Sequence, residues 1–201
     1  PREWYKPSQV LLKVARERQA TGDAFESSTQ KKIRREIKAT ALMALGLMKL
    51  SDKEYKVQLI DPKDQCPDIR LAEAAVLQTA TKKSRFQEVE VVSLTPHSHD
   101  ATIIDFLQRT KLSPIFAYPL STIILCEIEA TDDYQEWSKI HQRLKTLGKG
   151  HQIYLLRQED RFTFNYHLAQ VSPRFSQEVY FNALHECHQT TQVTVAVKGV
   201  A

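Results

Sequence analysis

Glycine and proline are sparse, five and eight among 201 residues, and no internal repeat or biased tract separates the chain into pieces. Collagen-like, low-complexity and mainly disordered chains are thereby excluded. Cysteine is scarce as well: Cys66, Cys126 and Cys187 lie far apart and form no CxxC pair. Neither a disulfide framework nor a zinc ribbon is indicated, and a reducing cytoplasm is the expected compartment. No stretch approaches the ~20 apolar residues of a membrane span, and Pro1 to Tyr5 do not begin a signal peptide. Walker A, GxGxxG and GxSxG patterns are missing, so nucleotide-driven motors, Rossmann dehydrogenases and serine hydrolases lose their usual signatures.

What is present is an ordinary globular composition, 42% hydrophobic and 26% charged. A chain of this length buries roughly 70% of its surface on folding. Lys and Arg number 28 against 24 Asp and Glu, a net charge of +4, which is compatible with a polyanionic partner without demonstrating one. We expect a single domain over 1–201, with 1–21 as an N-terminal helical appendage and 159–201 as a C-terminal extension of the sheet.

Periodicity supplies the elements. Ser8 is a candidate cap for a first helix carrying Val10, Leu11 and Val14 and stopping at Thr21-Gly22-Asp23. From about Phe25 to Leu50, Ile33, Ile37, Ala41, Ala44, Leu45 and Met48 recur three and four residues apart, which predicts a long helix. Its other face carries Lys31, Lys32, Arg34, Arg35 and Lys38, and a basic row of this kind is more often a solvated face than a phosphate-binding one.

Strands are expected at Tyr55 to Asp61, at Asp68 to Leu71 and at Phe86 to Leu94. Residues 62–67 read as a turn, and Glu73 to Lys83 suits either a helix or the return of a hairpin. Ala101 to Leu112 is helical in pattern, with Pro114 preventing its continuation. Thr122 to Glu129 reads as a central strand, followed by a helix opened by Asp132 and Asp133 whose stripe is Tyr134, Trp137, Ile140, Leu144 and Leu147. Gln152 to Gln158 and the alternating Phe162, Phe164, Tyr166 and Leu168 predict two more strands. Ser176 to His188 reads as a helix, and Val193 to Val197 as a terminal strand. The order is that of a mixed α/β sheet with helices on both faces.

Three acids fall where this order makes them neighbours. Asp68 follows Pro67 at the start of a short strand, and Glu88 and Glu90 share one face of the next hairpin arm, Val89 and Val91 the other. Adjacent strands lie ~5 Å apart and i, i+2 residues ~7 Å apart, so the carboxylates can converge on one cation. Hard divalent ions take oxygen ligands and leave positions for water and a phosphate oxygen.

In these residues the sequence resembles the PD-(D/E)XK nuclease superfamily, with its restriction-endonuclease-like fold. The matching pieces are Gly22 to Glu26 opening the first core helix, Pro67-Asp68, and Glu88-Val89-Glu90 on a hydrophobic strand followed by a helix and a buried strand. The resemblance covers about Gly22 to Arg157. It implies cleavage of DNA dependent on Mg²⁺ or Mn²⁺, with Asp68 and Glu88 as metal ligands and Glu26 as an accessory acid. By analogy it also implies a homodimer or a larger DNA-processing complex. The family lysine two residues after the second acid is replaced here by Glu90. Some restriction enzymes of this fold carry Glu there and cut, whereas others with altered motifs are scaffolds. Under the first reading Glu90 orients or deprotonates the attacking water, and Lys82, Lys83 or Arg85 steadies the phosphate. Under the alternative, the chain is a catalytically degenerate DNA-binding or protein-assembly subunit that uses its basic helix face or its C-terminal third.

Two further motifs carry less. Pro96 to Asp100 has the wrong spacing for a metallohydrolase HxHxD pattern and reads as a polar loop. His185, Cys187 and His188 have no second cluster nearby in sequence to complete a zinc site, and Cys126 is expected to be an inert buried thiol.

Overall fold

Eight strands lie side by side in the order in which the chain makes them. They are β1 (Trp4–Tyr5), β2 (Tyr55–Leu59), β3 (Ile69–Glu73), β4 (Gln87–Leu94), β5 (Ile123–Ile128), β6 (Gln152–Gln158), β7 (Asn165–Ser172) and β8 (Gln177–Asn182). The computed structural model describes residues 3–21, 28–59, 69–78, 86–95, 102–113, 118–129, 137–147, 150–159, 163–173 and 177–196. Strands β1 to β4 pair antiparallel, β4, β5 and β6 run parallel, and β7 and β8 return antiparallel. A parallel pair needs a crossover, and helices α4 (Ile103–Thr110) and α5 (Trp137–Leu147) supply the two required here.

The sheet has an apolar layer on each side. Against one face pack α1 (Pro7–Thr21) and α2 (Ser28–Leu50), with Val10, Leu42 and Leu45 meeting Val89, Val91, Ile123, Leu125, Tyr154 and Leu168. Against the other pack α4 and α5, with Ile104, Leu107, Ile140 and Leu144 meeting Ile124, Cys126, Ile153 and Leu155. Burying side chains such as Leu125 and Leu144 completely contributes about 1.5–3 kcal/mol each. The i, i+2 alternation of β4 and β5 divides their residues between these two layers. At Gly46 α2 comes so close to the sheet that a Cβ would sit 2.6 Å from Leu168 Cδ2. Any larger residue there would force the buried Leu168 side chain to shift.

The first helix begins at Pro7 and not after Ser8, which lies inside it and is buried. Proline suits the first helical position, where its missing N–H has no partner to lose. Gln9 Oε1 accepts from the Lys6 N–H at 3.0 Å, so a side chain beyond Ser8 closes that end. Thr102 caps α4, its hydroxyl oxygen accepting from the Asp105 N–H at 3.1 Å. The ambiguous segment after Glu73 is the short helix α3 (Ala74–Gln78).

At the C-terminal end the sequence-based expectation fails. Of the helix expected from Ser176 to His188, residues 183–188 are helical, but Gln177–Asn182 form β8, because Val179 and Phe181 alternate toward the α2 layer and the backbone pairs with β7 from Asn165↔Asn182 to Gln170↔Gln177. Where a terminal strand was expected, helix α6 (Ala183–Ala196) runs on. Its start is set by Asn182, whose Oδ1 accepts from the His185 N–H at 3.1 Å. In β7 the alternation of Tyr166 and Leu168 holds, and His167 between them is fully buried as well. The α5 layer covers that side of the sheet, with Ala169 and Val171 in its core.

Candidate functional site

The face of β4 that carries Glu88 and Glu90 is the α4 face, opposite Val89 and Val91. Register sets Glu88 directly across from Arg70 of β3, and the Arg70 guanidinium lies 3.8 Å from the Glu88 carboxylate. The same guanidinium sits 4.2 Å over the Phe86 ring, a cation–π contact that limits its orientations.

Glu90 meets a lysine. Lys111 caps the C-terminus of α4, and its ammonium donates to Glu90 Oε2 at 2.8 Å and to the Tyr118 hydroxyl at 3.3 Å. Both charged side chains are largely enclosed, 16% exposed for Lys111 and 13% for Glu90. Burial pulls the Lys111 pKa down, but the hydrogen bond and attraction of Glu90, helped by Tyr118, leave it above the usual lysine value. At neutral pH this group is a fixed cation and not a proton acceptor. Nothing in sequence spacing links residue 90 with 111. The signal is only that an α4 of this length ends beside the strand it left.

Thr122 adds a third polar group. It stands one residue before Ile123, the partner of Val89, just as Glu88 stands one before Val89. The residue is 1% exposed, and its hydroxyl has no hydrogen-bond partner among the described residues. A buried hydroxyl in that condition costs about 1–3 kcal/mol until something pairs with it.

Of the residues expected to act, the structure therefore brings Glu88 and Glu90 onto one face and adds Arg70, Lys111, Tyr118 and Thr122. Asp68, Glu26, Lys82 and Lys83 lie outside the described residues, as do Arg85 and the Pro96 to Asp100 loop. Among the described residues no group of three or more His, Cys, Asp or Glu is placed to hold a metal ion. Asp68 directly precedes Ile69, which pairs with Val89.

A second acidic pair was missed by sequence reading. Glu127 and Glu129 lie at the carboxyl end of β5 on the α2 side of the sheet. Ser93 of β4, the register partner of Glu127, donates its hydroxyl to Glu127 at 3.0 Å, and Arg35 of α2 lies 3.2 Å from Glu129. Burial pushes the Glu127 carboxyl up, against the lowering effect of Lys38, Ser93 and Arg35. The available signal was an i, i+2 glutamate pair at the end of an apolar strand.

Cys126 is fully buried, and burial pushes its thiol far above the usual range, so it is inert. No described helix is long and apolar enough to cross a membrane. Comparison with known proteins gives no match: no family model, no curated protein and no solved structure aligns with this chain.

Proposed function

We propose that this chain is an endonuclease of the restriction-endonuclease-like fold that hydrolyses DNA phosphodiester bonds with Mg²⁺ or Mn²⁺, Asp68 and Glu88 being the residues that would hold the ion. Two observations support the reading. The order α2, β2, β3, α3, β4, α4, β5 sets an antiparallel meander ahead of a parallel crossover, with Glu88 and Glu90 on a strand followed by a helix and a buried strand. The observation that carries it is Lys111, whose ammonium lies 2.8 Å from Glu90, the residue that stands where the family motif has its lysine.

The chemistry a divalent ion supplies when bound is a water of lowered pKa and neutralisation of charge on the phosphoryl oxygens. The chain's own groups act around it. Lys111, held protonated, presents fixed positive charge where the phosphate gains negative charge. Glu90, oriented by Lys111, takes a proton from the attacking water. Thr122 offers a hydroxyl beside Glu88, and Lys82 or Lys83 steadies the phosphate from outside the described region. Glu26 is an accessory acid.

The test is nicking of supercoiled plasmid with Mg²⁺ or Mn²⁺ by the wild type, Asp68→Ala and Glu88→Ala. We expect cleavage by the wild type and a fall of roughly 10²–10³-fold in each variant, the scale on which removing a transition-state stabiliser acts. Equal residual activity in all three proteins would assign the cleavage to a contaminant.

One observation favours the second reading, a catalytically degenerate subunit that binds DNA or assembles with protein. Both glutamates of the β4 face already face a cation, Glu88 facing Arg70 and Glu90 facing Lys111. Salt-dependent DNA affinity without metal-dependent cleavage is its signature.

A further inference from the structure

The pairing of α1 with α2 has an outer half that the core does not explain. The core takes Val10 from α1, with Leu11 packed at its edge, and Ala39 onward from α2, with Ile37 at its edge. Beyond it, the six consecutive residues Ala15 to Ala20 of α1 are all exposed, as are Thr29 to Lys32 of α2. With 3.6 residues per turn, six exposed positions leave every side of α1 facing solvent. A solvated helix face ordinarily has an apolar face behind it, and this stretch has none.

Its charge is predominantly positive. Lys13, Arg16 and Arg18 on α1 and Lys31, Lys32, Arg34 and Arg35 on α2 stand against Glu17 and Glu36 on the same helices and Asp23 and Glu26 in the sequence between them. Arg34 bridges to Glu17 at 3.9 Å and Lys32 to Glu36 at 3.7 Å, which steadies the two helices and leaves a cationic excess. Over the whole span 7–50, nine Lys and Arg face four Asp and Glu, a net +5, whereas the entire chain is +4. The rest of the protein is therefore −1. The weak overall basicity conceals a strongly basic arm on a nearly neutral body.

We propose that the outer half of the α1–α2 pair is a docking arm for the phosphate backbone of duplex DNA. Charge complementarity selects the partner: a duplex presents one negative charge per about 1.7 Å of its axis, and condensed counterions are released when Lys and Arg replace them. The arm includes neither Glu88 nor Glu90, which lie on the α4 face of the sheet. It holds DNA whether or not the chain cuts it, and a failure of cleavage leaves this proposal standing.

The test is fluorescence anisotropy of a labelled duplex of about 20 base pairs between about 50 and 200 mM salt. With about four phosphate contacts, wild-type affinity falls roughly 10²-fold over that range. The variant Arg16→Ala/Arg18→Ala/Lys31→Ala/Lys32→Ala should bind at least about 10-fold more weakly at the lower salt and lose most of the slope. A control of equal charge, Lys53→Ala/Arg109→Ala/Lys139→Ala/Arg143→Ala, removes basic residues outside the arm and should retain most of both. Independently of any variant, duplex should slow amide exchange over Ala15 to Ala20 in the wild type. Equal losses in arm and control variants, an unaffected arm variant, or exchange unchanged by duplex would each overturn the proposal. So would wild-type binding to phosphatidylserine vesicles with none to duplex.

Discussion

The two glutamate pairs of the parallel strands make opposite use of the same local pattern. Glu88 and Glu90 stand toward the amino end of β4 beneath α4, and Glu127 and Glu129 at the carboxyl end of β5 beneath α2. Glu90 faces an ammonium at 2.8 Å, whereas Glu127 receives a neutral hydroxyl at 3.0 Å and is pushed up by burial. An i, i+2 acid pair on a strand thus says only that two carboxylates share a face. What they do depends on which helix end reaches that face.

The sharpest way to break this contrast is to remove the cation from one pair. Lys111→Met leaves the Glu90 carboxylate enclosed without its partner, and we expect a loss of about 2–4 kcal/mol in denaturant unfolding at pH 7. Adding Glu90→Gln should recover part of it, because the uncompensated charge goes too. A loss no larger than that of an exposed lysine would show that Glu90 is well solvated and the contact incidental.

A smaller effect of opposite sign is expected from the other pair. With its folded pKa raised, Glu127 keeps its proton in the native state where the unfolded chain has released it, so stability falls as pH rises from about 4.3 through the folded value. Glu127→Gln should remove that fall and leave the protein more stable than wild type at pH 8. Melting curves of both proteins from pH 4 to 8 check the sign.

The smallest effect concerns His167, outside both pairs. It is fully buried and stacks 4.1 Å from Tyr180, with its Nε2 3.2 Å from Glu178. Burial lowers its pKa more than Glu178 raises it. For a base lowered on folding, stability is complete above the unfolded value of about 6.5 and is lost as pH falls below it toward the folded one. His167→Phe should flatten the acid side of the melting profile between pH 5 and 7 while leaving the Glu127 slope in place.

Much of the scaffold was legible because it is periodic. Ile103 to Leu107, the buried run of β5 and the alternation of Glu88 and Glu90 with Val89 and Val91 each follow from spacing alone. The chain end was misread for a physical reason: residues 177–182 carry an alternating pattern of only six residues, too short to outweigh a helical one, and pairing with β7 decides the outcome. The site was half legible. Glu88 and Glu90 share one strand, which sequence displays, but Lys111 and Thr122 arrive from the end of α4 and the start of β5 through a crossover that only the fold provides.

The central claim is that the α4 face of β4 is a seat for a divalent cation, and calorimetric titration of Mn²⁺ into the wild type, Asp68→Asn and Glu88→Gln tests it most directly. The account predicts one site in the wild type that weakens at least about 10-fold in both variants, each having lost one charged oxygen ligand. Binding that is absent from the wild type, or identical in all three proteins, would contradict it.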